Sequence, residues 1–227
     1  MTKISIVVPV YNEKNYIRQV LDRLEKVSFS SLDKEIIIVD DGSTDGTKEI
    51  LESFEDSFKV IYHNKNCGKG AALKTGFKNS SGEIIVIQDA DLEYNPSEIK
   101  DLIQSIVKGE VSVVYGSRMN GNNPIGHRRY YLGNLLISWV TNLLYGSKLS
   151  DVETCYKVFD RKVLDKINLE QNDFGFEAEF TAKVLKNHFS IREIPISYSP
   201  RNFTEGKKIN WYDGLKAIFL LIKYRFS

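Results

Sequence analysis

An α/β fold built on a mostly parallel central sheet with flanking helices follows from three observations. Short runs rich in β-branched residues (Ile4 to Val8, Glu35 to Val39, Ile84 to Ile87) alternate with segments whose apolar residues recur at helical spacing. Runs that are apolar at consecutive positions suit strands covered on both faces, the usual setting of a parallel sheet. Three of the strands end in residues that suit binding chemistry: Pro9, Tyr11 and Glu13; Asp40 and Asp41; Asp89 and Asp91. Ligands in open α/β sheets gather beyond the carboxyl ends of strands, so these residues are expected to line one sheet edge and to hold a nucleotide there.

Ile4 to Val8 is the first strand, closed by Pro9 and followed by the turn Tyr11-Asn12-Glu13. Ile17, Val20, Leu21, Leu24 and Val27 mark a helix with one buried face. Glu35 to Val39 is the second strand, ending in Asp40-Asp41-Gly42-Ser43. Thr44 to Phe54 reads as a helix with Ile50, Leu51 and Phe54 inward, and Lys59 to Tyr62 as the third strand. Gly68-Lys69-Gly70 opens a helix through Phe77. This turn lacks the spacing of a phosphate loop, and no Gly-x-Gly-x-x-Gly follows the first strand, which argues against P-loop ATPases and typical dinucleotide dehydrogenases. The turn either offers N–H groups and Lys69 to an anion or needs glycine for its backbone geometry.

Ile84 to Ile87 is apolar throughout, and Asp89, Asp91 and Glu93 follow it at alternate positions. Carboxylates crowded at a strand end repel one another unless a positive charge lies between them. A hard divalent cation holding a diphosphate is one solution, because Mg²⁺ takes oxygen ligands and keeps substrate phosphates in its shell. The other reading is an acidic loop before a helix, since Asn95-Pro96-x-Glu98 has the form of an N-cap, a first-turn proline and a capping-box acid. A helix then runs through Val107.

Val111 to Tyr115 is a strand that ends in Gly116-Ser117-Arg118. Residues 119 to 129, rich in Gly, Asn and Pro and containing His127-Arg128-Arg129, read as a flexible loop. Tyr130 to Gly146 carries no charge. Leu132, Leu135, Leu136, Trp139, Val140, Leu143 and Leu144 form one apolar face, with Asn134, Ser138, Thr141 and Asn142 off it. A core helix is expected here in preference to a membrane-facing one. Asp151 to Lys157 leads into a short strand. Glu177 and Glu179 open the next helix, as a general base, as partners of Lys or Arg, or as first-turn acids favoured by the helix dipole. Ile191 to Tyr198 alternates as a half-buried strand and meets Pro200-Arg201, and Glu205 to Lys208 is a basic turn. Trp211 to Phe226 is helical, with Leu215, Ile218, Phe219 and Ile222 expected inward. Its Lys216, Lys223 and Arg225 among aromatic residues suit either a membrane interface or a docked terminal helix.

A length of 227 residues fits one domain with a full core. The net charge of +1 offers no electrostatic case for nucleic acid. Cys67 and Cys155 lack metal-ligand spacing and read as reduced cytosolic thiols. No run approaches the roughly 18 apolar residues of a membrane span, and the amino terminus is too short for a secretory signal.

Val8-Pro9-x-Tyr11-Asn12-Glu13, Asp40-Asp41-Gly42-Ser43-x-Asp45-x-Thr47, Gly68-Lys69-Gly70, Asp89-Ala90-Asp91-Leu92, Gly116-Ser117-Arg118 and Asp151-x-x-Thr154-x-x-Lys157 occur in this order. The ordered set, spread over nearly the whole chain, resembles the family 2 glycosyltransferases, and within them the polyprenyl-phosphate, dolichol-phosphate mannose synthase-like branch. That resemblance implies a GT-A fold in one catalytic domain, with a nucleotide-sugar-binding half (1–115) and an acceptor-side half (116–227) ending in an amphipathic helix. It implies that Pro9, Tyr11, Glu13 and Asp40 contact base and ribose, with Asp41, Lys69 and Ala90 in the same donor site. Asp89 and Asp91 would hold Mg²⁺ or Mn²⁺ and the diphosphate. Glu93 stands where the branch often has glutamine, a change that would strengthen metal binding or shift metal preference. Arg118, Arg128 or Arg129, Arg201 and Lys208 match in rough position the residues that receive the acceptor's phosphate.

The expected reaction is an inverting, metal-dependent transfer of a hexose from a UDP- or GDP-sugar to a polyprenyl phosphate. An ionised phosphate acceptor needs positioning by arginine more than it needs a base. A hydroxyl of a growing glycan, the alternative acceptor, requires a carboxylate base, for which Glu177 and Glu179 are the candidates. A nucleotidyltransferase and a non-catalytic nucleotide-sugar-binding protein are the readings from other classes. The expected location is cytoplasmic and peripheral. Some relatives carry transmembrane helices after the catalytic domain, whereas this chain stops at Ser227, so membrane contact would come from 130–146 and 211–226 or from a partner protein.

Overall fold

The computed structural model describes residues 2–29, 32–121, 123–124, 128–201 and 211–227. The first half alternates strand and helix: β1 (Lys3–Val10), α1 (Ile17–Lys26), β2 (Asp33–Asp40), α2 (Thr47–Glu52), β3 (Lys59–Tyr62), α3 (Lys69–Asn79), β4 (Ile84–Ile87), α4 (Ile99–Val107) and β5 (Val113–Ser117). The second half adds α5 (Arg128–Tyr145), β6 (Lys157–Asp160), α6 (Phe176–Lys186), β7 (Ile191–Pro195) and α7 (Trp211–Phe226). The strands form one sheet in the order β3-β2-β1-β4-β6-β5-β7. Pairings among β3, β2, β1 and β4 and between β5 and β7 are parallel, while β6 runs antiparallel to both β4 and β5.

The apolar runs explain this sheet. All four residues of β4 are buried, as are Ile4, Ile6, Val7 and Val8 of β1. Each fully buried aliphatic side chain of this size is worth about 1.5–3 kcal/mol, an amount available only when helices cover both faces. The predicted stripe of α1, Ile17, Val20, Leu21 and Leu24, is buried. On α3, a Cβ at Gly76 would lie 2.3 Å from Val7 Cγ1, so glycine is what lets α3 lie close on β1. The Asn95 side chain accepts the Ser97 N–H at 3.2 Å, and a 3₁₀ turn over Pro96–Glu98 leads into α4 as the cap pattern predicts.

Several boundaries differ from expectation. The helix α2 starts at Thr47 rather than Thr44, because Gly46 sits at φ +99 just before it and Asp45 accepts the Thr47 N–H and hydroxyl. Gly116 and Ser117 lie inside β5. Arg128 and Arg129 belong to the first turn of α5 instead of a loop, and His127 lies outside the described residues.

The faces of α5 and α7 are the main correction. The buried positions of α5 are Asn134, Ile137, Ser138 and Thr141, whereas Leu132, Trp139 and Leu143 are 62%, 61% and 69% exposed. The polar face turns inward because it has partners: Asn134 donates to Asp151 (2.8 Å), Ser138 to the Ser150 carbonyl (3.1 Å) and Asn142 to the Leu149 carbonyl (2.8 Å). On α7, Leu215, Phe219 and Ile222 are exposed and Ile218 is half-buried, while Ala217, Leu220, Leu221 and Tyr224 are buried. A second, smaller core joins Ile137 of α5, Ala178 and Ala182 of α6 and this inward face of α7. Among the described residues no helix is long and apolar enough to cross a membrane.

Candidate active site

The strands β2, β1 and β4 lie side by side and parallel, so their carboxyl ends open onto one edge. There the sheet order reverses: the chain builds outward from β1 through β2 to β3, then returns to place β4 on the other side of β1. That is the crevice where such sheets bind ligands. Val10 pairs with Asp40, so the half-buried Pro9 and Tyr11 and the buried Asp40 lie together at the carboxyl ends of β1 and β2. Burial pushes the pKa of Asp40 up, against the hydrogen bonds from Ser43.

Asp41 plays a different part from its neighbour. Its carboxylate accepts the N–H groups of Cys67 (3.0 Å) and Gly68 (2.7 Å) and pairs with His63 Nδ1 (2.7 Å). It anchors the glycine turn instead of facing the crevice. Gly68 sits at φ +98, and a Cβ there would lie 2.3 Å from the Asn172 carbonyl oxygen. The Ala71 N–H donates to that same carbonyl at 2.9 Å. The geometric need for glycine thus explains the turn. Its lysine still enters the site: Lys69 Nζ lies 2.9 Å from Asp89 and 3.2 Å from Glu177.

The acids after β4 are each held by a different partner. Asp89 is bound to Lys69. Asp91 accepts from Arg201 Nη2 at 2.7 Å. Glu93 accepts the Tyr198 hydroxyl at 3.0 Å and the Arg201 backbone N–H at 2.7 Å. Glu13, from the end of β1, holds the Arg201 guanidinium at 2.9 and 3.2 Å. Ala90 is buried between the two aspartates. Burial opposes the charge on Asp89, but Lys69, the Cys155 thiol and Arg201 together hold its pKa down. Burial and the neighbouring Asp89 and Glu93 charges push Asp91 up to about 7 despite Arg201.

The donor set suits a divalent cation: the oxygens are hard carboxylate ligands, and their mutual repulsion is relieved by added positive charge. In this conformation Asp89, Asp91 and Glu93 do not converge on one point. Among the described residues the one group of three with ligand atoms within 4.8 Å is Asp41, His63 and Cys67. Hydrogen bonding accounts for that group, with His63 Nε2 placed 3.0 Å from Thr75 Oγ1.

Lys157, fully buried, pairs with Glu177 and the Thr154 carbonyl and lies 3.1 Å from the Val152 carbonyl. Glu177 therefore lies between Lys69 and Lys157 as their shared counter-ion. Glu179 is turned elsewhere: it accepts the N–H groups of Glu170 (2.7 Å) and Gln171 (2.8 Å) and pairs with Lys183 (2.7 Å). Burial, then Glu177, pushes Glu153 up to about 7.

Arg118 leaves the end of β5 and is fixed by Asp151 through Nε (2.8 Å) and Nη2 (2.7 Å). Its guanidinium lies 5.1 Å from the ring centroid of Tyr198, whose hydroxyl is bonded to Glu93. Arg118 and the acids are thus joined through one tyrosine. Arg128 and Arg129 are exposed at the start of α5. Lys208 lies outside the described residues. Sequence reasoning gave no role to Lys157, Asp151 or Tyr198. The first two belong to the Asp151-x-x-Thr154-x-x-Lys157 motif, and a buried lysine inside a motif was the available signal.

Residues 5–168 match the family described as glycosyl transferase family 2. The chain is 29% identical to a UDP-N-acetylglucosamine–dolichyl-phosphate N-acetylglucosaminyltransferase of Methanococcus voltae, covering 96% of this chain and 94% of that one. It is 32% identical to an undecaprenyl-phosphate 4-deoxy-4-formamido-L-arabinose transferase of Pseudomonas fluorescens, over 96% of this chain and 62% of that protein's length. The fold is similar to that of glucosyl-3-phosphoglycerate synthase from Mycobacterium tuberculosis, solved with Mn²⁺, UDP-glucose and phosphoglyceric acid. That match has a TM-score of 0.77 at 20% identity and covers 99% of this chain and 80% of that one.

Proposed function

The chain belongs to glycosyl transferase family 2, and from that membership we propose that it moves a hexose from a UDP- or GDP-sugar to a polyprenyl phosphate with inversion. The observation that carries the acceptor class is Arg118. Its fork on Asp151 and its place over Tyr198 hold a planar cation rigidly beside the acid cluster, the arrangement that suits a phosphate. The two relatives named for dolichyl- and undecaprenyl-phosphate support it. Residues 1–115 form the donor half and 116–227 the acceptor half, both built on one sheet.

On the donor side Pro9, Tyr11 and Asp40 receive base and ribose. Asp89 and Asp91, with Glu93, hold a divalent cation, Mg²⁺ or Mn²⁺, and Lys69 stands beside them for the diphosphate. A cation held there would offset the charge that builds on the departing nucleotide diphosphate. Arg118 and Arg201, with Arg128 or Arg129, orient the acceptor. A phosphate oxygen forms the bond to the anomeric carbon as the bond to the diphosphate breaks, and the electron pair leaves with the nucleotide. A phosphate monoester with a second pKa near 6 is already largely ionised at neutral pH, so no proton has to be removed. Glu177, held by two lysines, suits a counter-ion better than a base, and Glu179 serves the 170–171 backbone.

The test offers radiolabelled UDP- and GDP-sugars with Mn²⁺ to the protein, together with a polyprenyl phosphate or the corresponding polyprenol. Label should enter the lipid only when the phosphate is present, and with one nucleotide. Transfer to the polyprenol, or to a glycan alone, would overturn the acceptor assignment.

The lipid has to be met at a membrane, and α5 and α7 supply the face for it. Apart from Val107, every large apolar side chain exposed among the described residues lies on these two helices. A patch of this kind marks an interaction surface. Arg128, Arg129, Lys148, Lys216, Lys223 and Arg225 lie on or next to these helices in a chain whose net charge is +1, with Lys216 paired to Asp173 and Lys223 3.8 Å from Glu170. That charge complements anionic lipid and opposes a two-fold contact with a second copy. The protein should float with phosphatidylglycerol vesicles free of polyprenyl phosphate, and far less with phosphatidylcholine. Leu143→Glu and Phe219→Glu should each weaken binding about tenfold or more, without changing thermal stability. Equal flotation with neutral vesicles, or none with either, would remove the membrane assignment.

A further inference from the structure

The Arg201 guanidinium meets three acids, Glu13, Asp91 and Glu93. It binds Glu13 through both terminal nitrogens (2.9 and 3.2 Å) and Asp91 through Nη2 (2.7 Å), and its Nε lies 3.9 Å from Glu93. Its own backbone N–H holds Glu93 at 2.7 Å. The tyrosine ring of Tyr16 closes the other side, 5.3 Å from the guanidinium carbon. Acids from the ends of two neighbouring strands, β1 and β4, are thereby bridged by one cation.

We propose that Arg201 holds the place of the divalent cation on Asp91 in the metal-free protein, and that the cation binds by exchange with it. This inference rests on the metal assignment made above. Two observations carry it. The three acids assigned to the cation do not converge while Arg201 and Lys69 hold them apart. The Asp91 oxygen turned to Arg201 makes a hydrogen bond of 2.7 Å, a separation at which a second cation on that oxygen is repelled.

The exchange has a functional result. Without it, buried carboxylates with no counter-charge would face one another in the empty enzyme, which is costly. With it, the arginine is released only as the cation arrives, and the freed edge of its guanidinium can then serve the acceptor's phosphate. Filling the donor site and supplying an arginine to the acceptor become one event.

Mn²⁺ binding without any nucleotide tests this, read from the free-ion signal by electron paramagnetic resonance. If about a tenth of wild-type molecules have Arg201 off Asp91, apparent affinity is reduced about tenfold. Arg201→Gln should therefore bind Mn²⁺ about tenfold more tightly than wild type. Arg201→Lys keeps the charge and loses the fork that bridges Glu13 and Asp91, so it should also bind more tightly. Long-range electrostatics alone would leave Arg201→Lys equal to wild type. Asp91→Asn should abolish the gain when combined with either variant. Equal titration of wild type and Arg201→Lys, weaker binding by Arg201→Gln, or no uptake by any of the proteins would each overturn the exchange. The lipid-transfer assay on wild type is independent of these titrations and tests the functional reading separately.

Discussion

Asp91→Ala should lower hexose transfer by about a thousandfold at saturating donor while the protein still folds. The expected loss is the scale seen when one preorganised electrostatic contact to a developing charge is removed. The fold should survive because Asp91 lies past the end of β4, outside the aliphatic core. Its charge is also one the folded protein resists: burial, Asp89 and Glu93 all favour the neutral form. Removing it leaves Arg201 paired with Glu13 and close to Glu93. The check is paired, with initial rates across a Mn²⁺ series and a thermal melt of the metal-free protein. A variant that melts like wild type and stays inactive at every Mn²⁺ concentration supports the assignment. Near-normal rates in chelator would remove Asp91 from the cation site.

Lys157→Met should cost about 3–5 kcal/mol of stability, the usual penalty for breaking a buried ion pair from one side. Lys157 is wholly buried, and its partner Glu177 is 4% exposed. The substitution leaves Glu177 with Lys69 as its remaining cation. It also deprives the Thr154 and Val152 carbonyls of their donor. For a chain of this size the melting temperature should fall by roughly 2–4 °C per kcal/mol. Adding Glu177→Gln should recover part of the loss, because the uncompensated carboxylate is then gone; the non-additivity measures the coupling. An unaltered melt for Lys157→Met would mean that Glu177 does not need this lysine.

Strands were legible because their apolar runs have no other use. A segment such as Ile84 to Ile87 is stable only when it is covered; α4 packs against it, and α3 lies on the neighbouring β1. The ends of those strands were legible for the same reason, since polar residues next to such a run must lie at the sheet edge. The faces of α5 and α7 were not. Reading an apolar stripe as inward assumes that water lies on the other side and that the polar stripe has no partners. On α5, Asp151, Ser150 and Leu149 supply those partners. The roles of Glu177 and Glu179 were also hidden. Two acids two residues apart look alike in sequence, yet one meets Lys69 and Lys157 across the sheet edge and the other caps residues 170 and 171.

The insertion of β6 between β4 and β5 bears on how the chain is made. A nascent chain that has emerged through residue 150 contains β1 to β4 and could assemble four parallel strands. Its β4 would still present a bare edge, and β5 would have no neighbour in the sheet until Lys157–Asp160 arrives. At typical synthesis rates of about 5–20 residues per second, the stretch from Ser117 to Asp160 takes about 2–9 seconds to appear. Bare strand edges are where chains pair wrongly with one another. The proposed donor and acceptor halves do not divide the folding unit, because the strand that joins β4 to β5 is encoded after residue 115.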